Sequence, residues 1–216
     1  MRRREFITLA VGAASSWLPL LSVHAEDRVI KIVVLGDSFT AGSGISAGYR
    51  FTDQLEIALR AKGQSAAVIN AGVGGDTAAR GLARLSRSVP DDTDAVILEL
   101  GANDMIRGID PSVTRTALSE ILRNLEARRI VVLLCGVRTR TTFGDEYKSA
   151  FAAMFSGLAS EYNVLFYPAF DEAFVDDAQL KLLDGLHPNA AGVKAIVTGI
   201  LPEVEALIDR ARRKER

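Results

Sequence analysis

VIKIVVLGDSFTAG, residues 29–42, decides the fold. Val29–Leu35 is a continuous apolar, β-branched run broken only by Lys31, and Gly36 ends it. Such a run reads as a strand buried on both faces, not one with a wet side. The pattern recurs downstream. Ala66–Ile69, Ala95–Leu100 (AVILEL), Ile130–Leu134 (IVVLL) and Val164–Tyr167 are further short apolar strands. Segments of helical spacing separate them. Phe51–Lys62 places Phe51, Leu55, Ala58 and Leu59 on one face and stops at Gly63. Thr77–Leu85 and Glu146–Tyr162 also read as helices. Pro111–Arg128 has Pro in its first turn, and Asn189–Arg212 is capped by Asn189. Alternating strands and helices predict a parallel sheet covered by helices on both faces.

Composition sets outer bounds. The chain has 216 residues, 26 Lys+Arg against 27 Asp+Glu, and 48% hydrophobic residues. At roughly 150 residues per domain, this is one domain with a full core. Balanced charge excludes nucleic-acid binding driven by bulk charge. A single cysteine, Cys135, excludes an internal disulfide and a multi-cysteine zinc site. The basic tail, Arg210–Arg216, reads as a solvated helix end whose cations suit the helix dipole.

Residues 1–25 have the layout of an export signal. Arg2, Arg3 and Arg4 precede an apolar stretch from Phe6 to Val23, and Val23-His24-Ala25 resembles a small-x-small cleavage site. Arg3-Arg4-Glu5-Phe6-Ile7 resembles the twin-arginine pattern. Gly12, Ser15, Ser16 and Pro19 interrupt the stretch, which argues against a retained spanning helix. The expectation is a signal at 1–25 that is removed and a single mature domain at 26–216, working in the periplasm. That mature chain carries 23 basic and 26 acidic residues, and His187 is its one histidine.

In an open parallel sheet, ligands bind beyond the carboxyl ends of the strands. Four blocks fall there: Gly36-Asp37-Ser38, Val73-Gly74-Gly75-Asp76, Gly101-Ala102-Asn103-Asp104, and Asp184-Gly185-Leu186-His187-Pro188. A serine hydroxyl needs a base within hydrogen-bond reach, and His187 is the available one. Asp184, three residues earlier, would orient the imidazole from a helical turn or a tight loop. The Ser38 and Gly75 N–H groups and the Asn103 amide are donors suited to an oxyanion. Each block also has a plain reading. Ser38 would be a helix N-cap, Asn103-Asp104 an Asx-turn, Asp184-Gly185 a turn, and His187 a surface residue. Their order and common position at strand ends favour the catalytic reading.

Two competing motifs fail. Gly42-Ser43-Gly44-Ile45-Ser46-Ala47 matches a dinucleotide-binding string but begins too far beyond Leu35 for a tight strand-to-helix turn. Asp176 and Asp177 read as a solvated acidic loop, not a metal site.

These four blocks resemble the SGNH (GDSL) hydrolase superfamily, and within it the bacterial thioesterase I, lysophospholipase and arylesterase group. Gly75-Asp76-Thr77, Gly81-Leu82-Ala83-Arg84-Leu85, Glu99-Leu100-Gly101 and Arg107-Gly108 add to the likeness, which runs from about Val29 to Leu201. The resemblance implies a three-layer α/β/α sandwich, flavodoxin-like, with a mostly parallel five-stranded sheet. It implies Ser38 as nucleophile with Asp184 and His187, an oxyanion hole of Ser38, Gly75 and Asn103, and no metal or cofactor. It also implies that the loop around Ile109–Pro111 and the segment near Arg138–Gly144 border an acyl groove. Arg138 and Arg140 in that segment would favour an anionic head group.

The expected reaction is hydrolysis of carboxylic esters or thioesters through an acyl-enzyme. The expected partner is a small acyl substrate, with no nucleic acid, no stable membrane insertion once the signal is gone, and a monomer as the working form. The alternatives are a carbohydrate O-acetylesterase using the same site and a non-catalytic ligand-binding scaffold. Chain-length preference separates the first, and reaction with a fluorophosphonate probe the second.

Overall fold

The computed structural model describes residues 28–138 and 142–214; the signal read at 1–25 and Arg140 lie outside them. Five strands form one sheet: β1 (Ile30–Gly36), β2 (Ala66–Gly72), β3 (Ala95–Glu99), β4 (Val131–Cys135) and β5 (Leu165–Tyr167). Their order is β2-β1-β3-β4-β5, and every pairing is parallel, so "mostly parallel" understates the sheet.

Alternate residues of the central strands feed two separate cores. Ile30, Ile32 and Val34 of β1 face one helical layer, while Val33 and Leu35 face the other. In β3, Ala95 and Ile97 divide from Val96 and Leu98 in the same way. Burial on both faces is why these strands read as unbroken apolar runs. The edge strands β2 and β5 are only half-buried. The first layer holds α2 (Phe51–Ala61) and α8 (Ala190–Arg213). The second holds α3 (Ala78–Ala83), α6 (Pro111–Ala127) and α7 (Asp145–Glu161).

The topology locates the ligand crevice. The chain leaves β1 toward β2 on one side, then returns to place β3 on β1's other side. Strand order therefore reverses between β1 and β3, and the crevice opens at their carboxyl ends.

One predicted helix is broken. Thr77 caps α3, which stops at Ala83, and α4 (Leu85–Ser88) resumes after Arg84. The cause is the Arg84 side chain, which turns inward and is 4% exposed. Its Nε donates to Asp76 Oδ2 at 2.6 Å, and its two terminal nitrogens donate to Ala71 O at 2.7 Å and Gly36 O at 2.8 Å. One guanidinium thus ties the ends of β1 and β2 to the loop that follows β2. Arg84→Ala should leave the buried Asp76 carboxylate with the mostly exposed Arg80 as its cation and cost about 3 kcal/mol in denaturant-induced unfolding. Arg84→Lys should recover little of it, because an ammonium cannot span the same fork of acceptors.

Candidate active site

Ser38 begins α1 (Ser38–Ala41) directly beyond β1. Asp37, not Ser38, is the N-cap: its Oδ1 accepts from Phe39 N at 3.0 Å. Ser38 Oγ is left pointing at His187, whose Nε2 lies 2.9 Å away. His187 Nδ1 meets Asp184 Oδ2 at 2.7 Å. The three side chains form one unbroken hydrogen-bonded relay.

A loop, not a helical turn, carries Asp184 and His187. The Lys181–Pro188 bridge closes it, and Leu182 N donates to His187 O at 2.8 Å. Within it, Asp184 Oδ1 accepts from Leu186 N at 2.9 Å and His187 N at 3.0 Å. The backbone N–H of His187, then its ring, then the N–H of Leu186 hold this carboxyl down at about 2. His187 is no surface residue: its side chain is 17% exposed and packs edge-on against Phe39, ring centres 5.8 Å apart.

Asn103 does not sit in an Asx-turn. It lies in the first turn of α5 (Ala102–Ile106), a short helix where the sequence suggests a loop, entered through Gly101 at φ 120°. Its Nδ2 donates to Asp37 Oδ2 at 2.8 Å, fixing the amide next to the residue that precedes Ser38 and leaving its second N–H available. Gly75 adopts φ 76°, a conformation other residues enter only with strain, and Arg107 donates to its carbonyl at 2.8 Å. The N–H groups of Ser38 and Gly75 have no acceptor among the described residues. The loops that follow β1, β2 and β3 and the loop before α8 thus bring every residue singled out for the chemistry to one rim.

Behind the rim lies a carboxyl pair that the sequence does not announce. Glu99, at the end of β3, is buried, and its Oε2 accepts from Asp37 N at 3.2 Å and Thr40 Oγ1 at 2.8 Å. Burial pushes Asp37 up to about 6, against the pull of the Phe39 N–H and the Asn103 amide. Burial, then the adjacent Asp37 charge, holds Glu99 well above the usual carboxylate range. Both shifts favour the protonated form of the pair over its two-anion form. A charged residue inside the apolar string AVILEL is the available signal. Asp104 is a second hidden acid: it accepts from Ala78 N at 2.9 Å and Thr114 Oγ1 at 3.1 Å, pinning α3 and α6 to the Asn103 turn.

A cavity of about 180 Å³ opens beside the relay. Phe39, Met105, Ile106, Val137 and Leu186 give it an apolar lining. Arg138 reaches it too, but its guanidinium pairs with Asp176 and Glu172, so its charge is already neutralised. That weakens the expectation that Arg138 selects an anionic head group. Asp177 is likewise occupied, capping a 3₁₀ turn at Ala178–Leu180.

The sequence model of the GDSL-like Lipase/Acylhydrolase family matches residues 34–195. The chain is 32% identical over 194 residues to Thioesterase 1/protease 1/lysophospholipase L1 of Escherichia coli (strain K12), covering 89% of this chain and 91% of that protein. It is 35% identical over 160 residues to the Arylesterase of Vibrio mimicus, covering 74% and 80%. The crystal structure of AlinE4, an SGNH-hydrolase family esterase, superposes with a TM-score of 0.70 at 39% identity, covering 83% of this chain and 96% of that one.

The carboxyl pair makes a prediction with a definite sign. Asp37 and Glu99 ionise more readily unfolded than folded, so the folded form binds more protons. The Asp37 contribution to stability is full below pH ~4 and is lost as pH rises through about 6, and the Glu99 contribution is lost as pH rises through its own raised range. Glu99→Gln copies the protonated form. It should keep the fold and the activity, and remove the Glu99 part of this decline while leaving the Asp37 part, in unfolding measured against pH. Glu99→Ala strands the Asp37 N–H and the Thr40 hydroxyl and should cost about 2–4 kcal/mol.

Proposed function

This chain belongs to the GDSL-like lipase/acylhydrolase family and is an ester-hydrolysing serine hydrolase, and on that premise we propose how its residues divide the work. Ser38 is the nucleophile. Its Oγ bonds to the carbonyl carbon of the ester or thioester while its proton passes to His187 Nε2. Asp184 holds the imidazole in the tautomer that accepts this proton and stabilises the imidazolium that results. The carbonyl oxygen, now an oxyanion, is held by the N–H groups of Ser38 and Gly75 and by the Asn103 amide. Collapse expels the alcohol or thiol, protonated by His187. Water, deprotonated by His187, then attacks the acyl-Ser38 ester; the bond from the acyl carbon to Ser38 Oγ breaks, Oγ takes the proton back from His187, and the carboxylic acid leaves.

The observation that carries this reading is the Ser38–His187–Asp184 relay beside a largely apolar cavity that their chain neighbours Phe39, Gly185 and Leu186 help to line. The cavity also favours a substrate class. At ~30 Å³ per water-sized group, it has room for roughly six such groups. An acetyl group would leave most of it empty. A medium acyl chain or an aryl ring would fill it, which favours acyl and aryl esters and acyl thioesters over sugar acetates. Residues 1–25 are an export signal in this reading, removed before Glu26, and the enzyme acts as a monomer in the periplasm. The support is the basic, apolar and small-residue layout of that segment.

Two measurements test these assignments. Hydrolysis of p-nitrophenyl esters from acetate to palmitate should peak at medium chains and disappear in Ser38→Ala, with at most about 10⁻³ of the rate remaining. Equal rates in both proteins would remove Ser38 from the mechanism, and a rate confined to acetate would favour the sugar-ester alternative. Mass spectrometry of the exported protein should give a chain beginning at Glu26. An intact chain held in the membrane fraction would overturn the cleavage.

A further inference from the structure

A second cavity, of about 360 Å³, opens at the opposite edge of the sheet, where β4 and β5 begin and α6, α7 and α8 end. Its floor is apolar, with Leu122, Val132 and Val164 among the residues that form it. Its rim is cationic: Arg210, Arg213 and Lys214 of the C-terminal helix and its cap, with Arg129 acting on Lys214 from the loop before β4. Among the described residues of the lining, Glu126 is the one carboxylate.

Cations are expected where helices end, because unpaired carbonyls leave about half a negative charge per helix. Three helix ends and Glu126 do not exhaust four cations. Nor are these cations satisfied elsewhere. Arg210 reaches only the neutral Asn163 amide oxygen, at 3.5 Å, and none of the four has an ion-pair partner among the described residues. They crowd one another instead. Burial, then Arg129 and Arg210, pull the Lys214 ammonium below its usual range, and Glu126 only partly opposes them. Mutually repelling cations around an apolar hollow gain from a ligand that brings one negative charge and an alkyl body.

We propose that this cavity binds a free medium-chain alkyl carboxylate, its carboxylate between Arg210, Arg213 and Lys214 and its chain on the Leu122–Val132–Val164 floor. The site is separate from the catalytic rim and lies at the other end of the strands. At ~30 Å³ per water-sized group, the space suits roughly a dozen groups. A carboxylate of this kind is also what acyl-ester hydrolysis releases, so the cavity would hold product away from Ser38.

The test is a titration of the full-length, ¹⁵N-labelled protein with sodium decanoate below its micelle concentration, followed by amide NMR. Amides of Val132, Val164 and Arg213 should shift, whatever occurs at Ser38, Gly75 and Asn103. Arg213→Gln with Lys214→Gln should weaken that binding by roughly tenfold or more. Its melting temperature and its basal ester hydrolysis should match the parent's. Shifts confined to the catalytic rim would overturn the site. Equal shifts with decanol or decylammonium would overturn the carboxylate recognition. Response only to phosphatidylglycerol vesicles, and not to monomeric decanoate, would make this a membrane-contact face instead.

Discussion

At the end of β1 several groups need the same few ångströms, and Gly36 is what lets them share it. A β-carbon there would lie 2.1 Å from Thr40 Oγ1 and 2.4 Å from Glu99 Oε2. Its carbonyl accepts from Arg84 at 2.8 Å and from Val73 N at 3.1 Å. One bare residue thus joins the helix of Ser38, the buried acid of β3, the arginine of the α3–α4 junction and the loop leading to Gly75. A side chain at this position would have to displace a hydrogen-bonded group instead of the tip of a flexible neighbour. The positions of Ser38 and of the loop that carries Gly75 follow from this crowding.

The crowding concentrates charge in a dry place. Asp37, Asp76, Arg84, Glu99 and Asp104 are all buried within the same edge of the sheet. Buried charge is costly unless it is paired, hydrogen-bonded or neutralised, and the protein uses all three remedies. Asp76 is paired with Arg84. Asp104 is hydrogen-bonded by Ala78 and Thr114. Glu99 is shifted toward its neutral form by burial and by the adjacent Asp37. The result is rigidity: Asn103 is fixed by Asp37, and Gly75 by Arg107 and the Arg84-tied loop. Donors that are already in position need no reorganisation when an oxyanion forms.

The two ends of the sheet are electrostatically unlike for one reason. Parallel strands joined by right-handed crossovers send every helix back antiparallel to them. Helix beginnings therefore gather at the catalytic rim, where N–H groups face a developing anion. Helix endings gather at the opposite edge, where the basic end of α8 collects. The Arg210–Lys214 cluster looks in sequence like a solvated tail. It lines a cavity because α8 carries it back across the feet of β4 and β5.

Much of this protein is legible in its chain of residues. Unbroken apolar runs ending in Gly36 and Gly101, with amphipathic segments between, specify a doubly covered parallel sheet. The physical reason is local: a strand buried on both faces cannot alternate. The candidate site is legible as well, because Ser38, Gly75 and Asn103 each stand just past a strand whose end can be read, and His187 just before a helix whose cap can. What lies behind them emerges only when β1, β2 and β3 come side by side. Until then Glu99 is only a charge out of place in an apolar strand, and Arg84 one more position in a helix. Their roles depend on desolvation and on partners 59, 62 and 48 residues away. Neither burial nor long-range pairing is encoded in the spacing of a single segment.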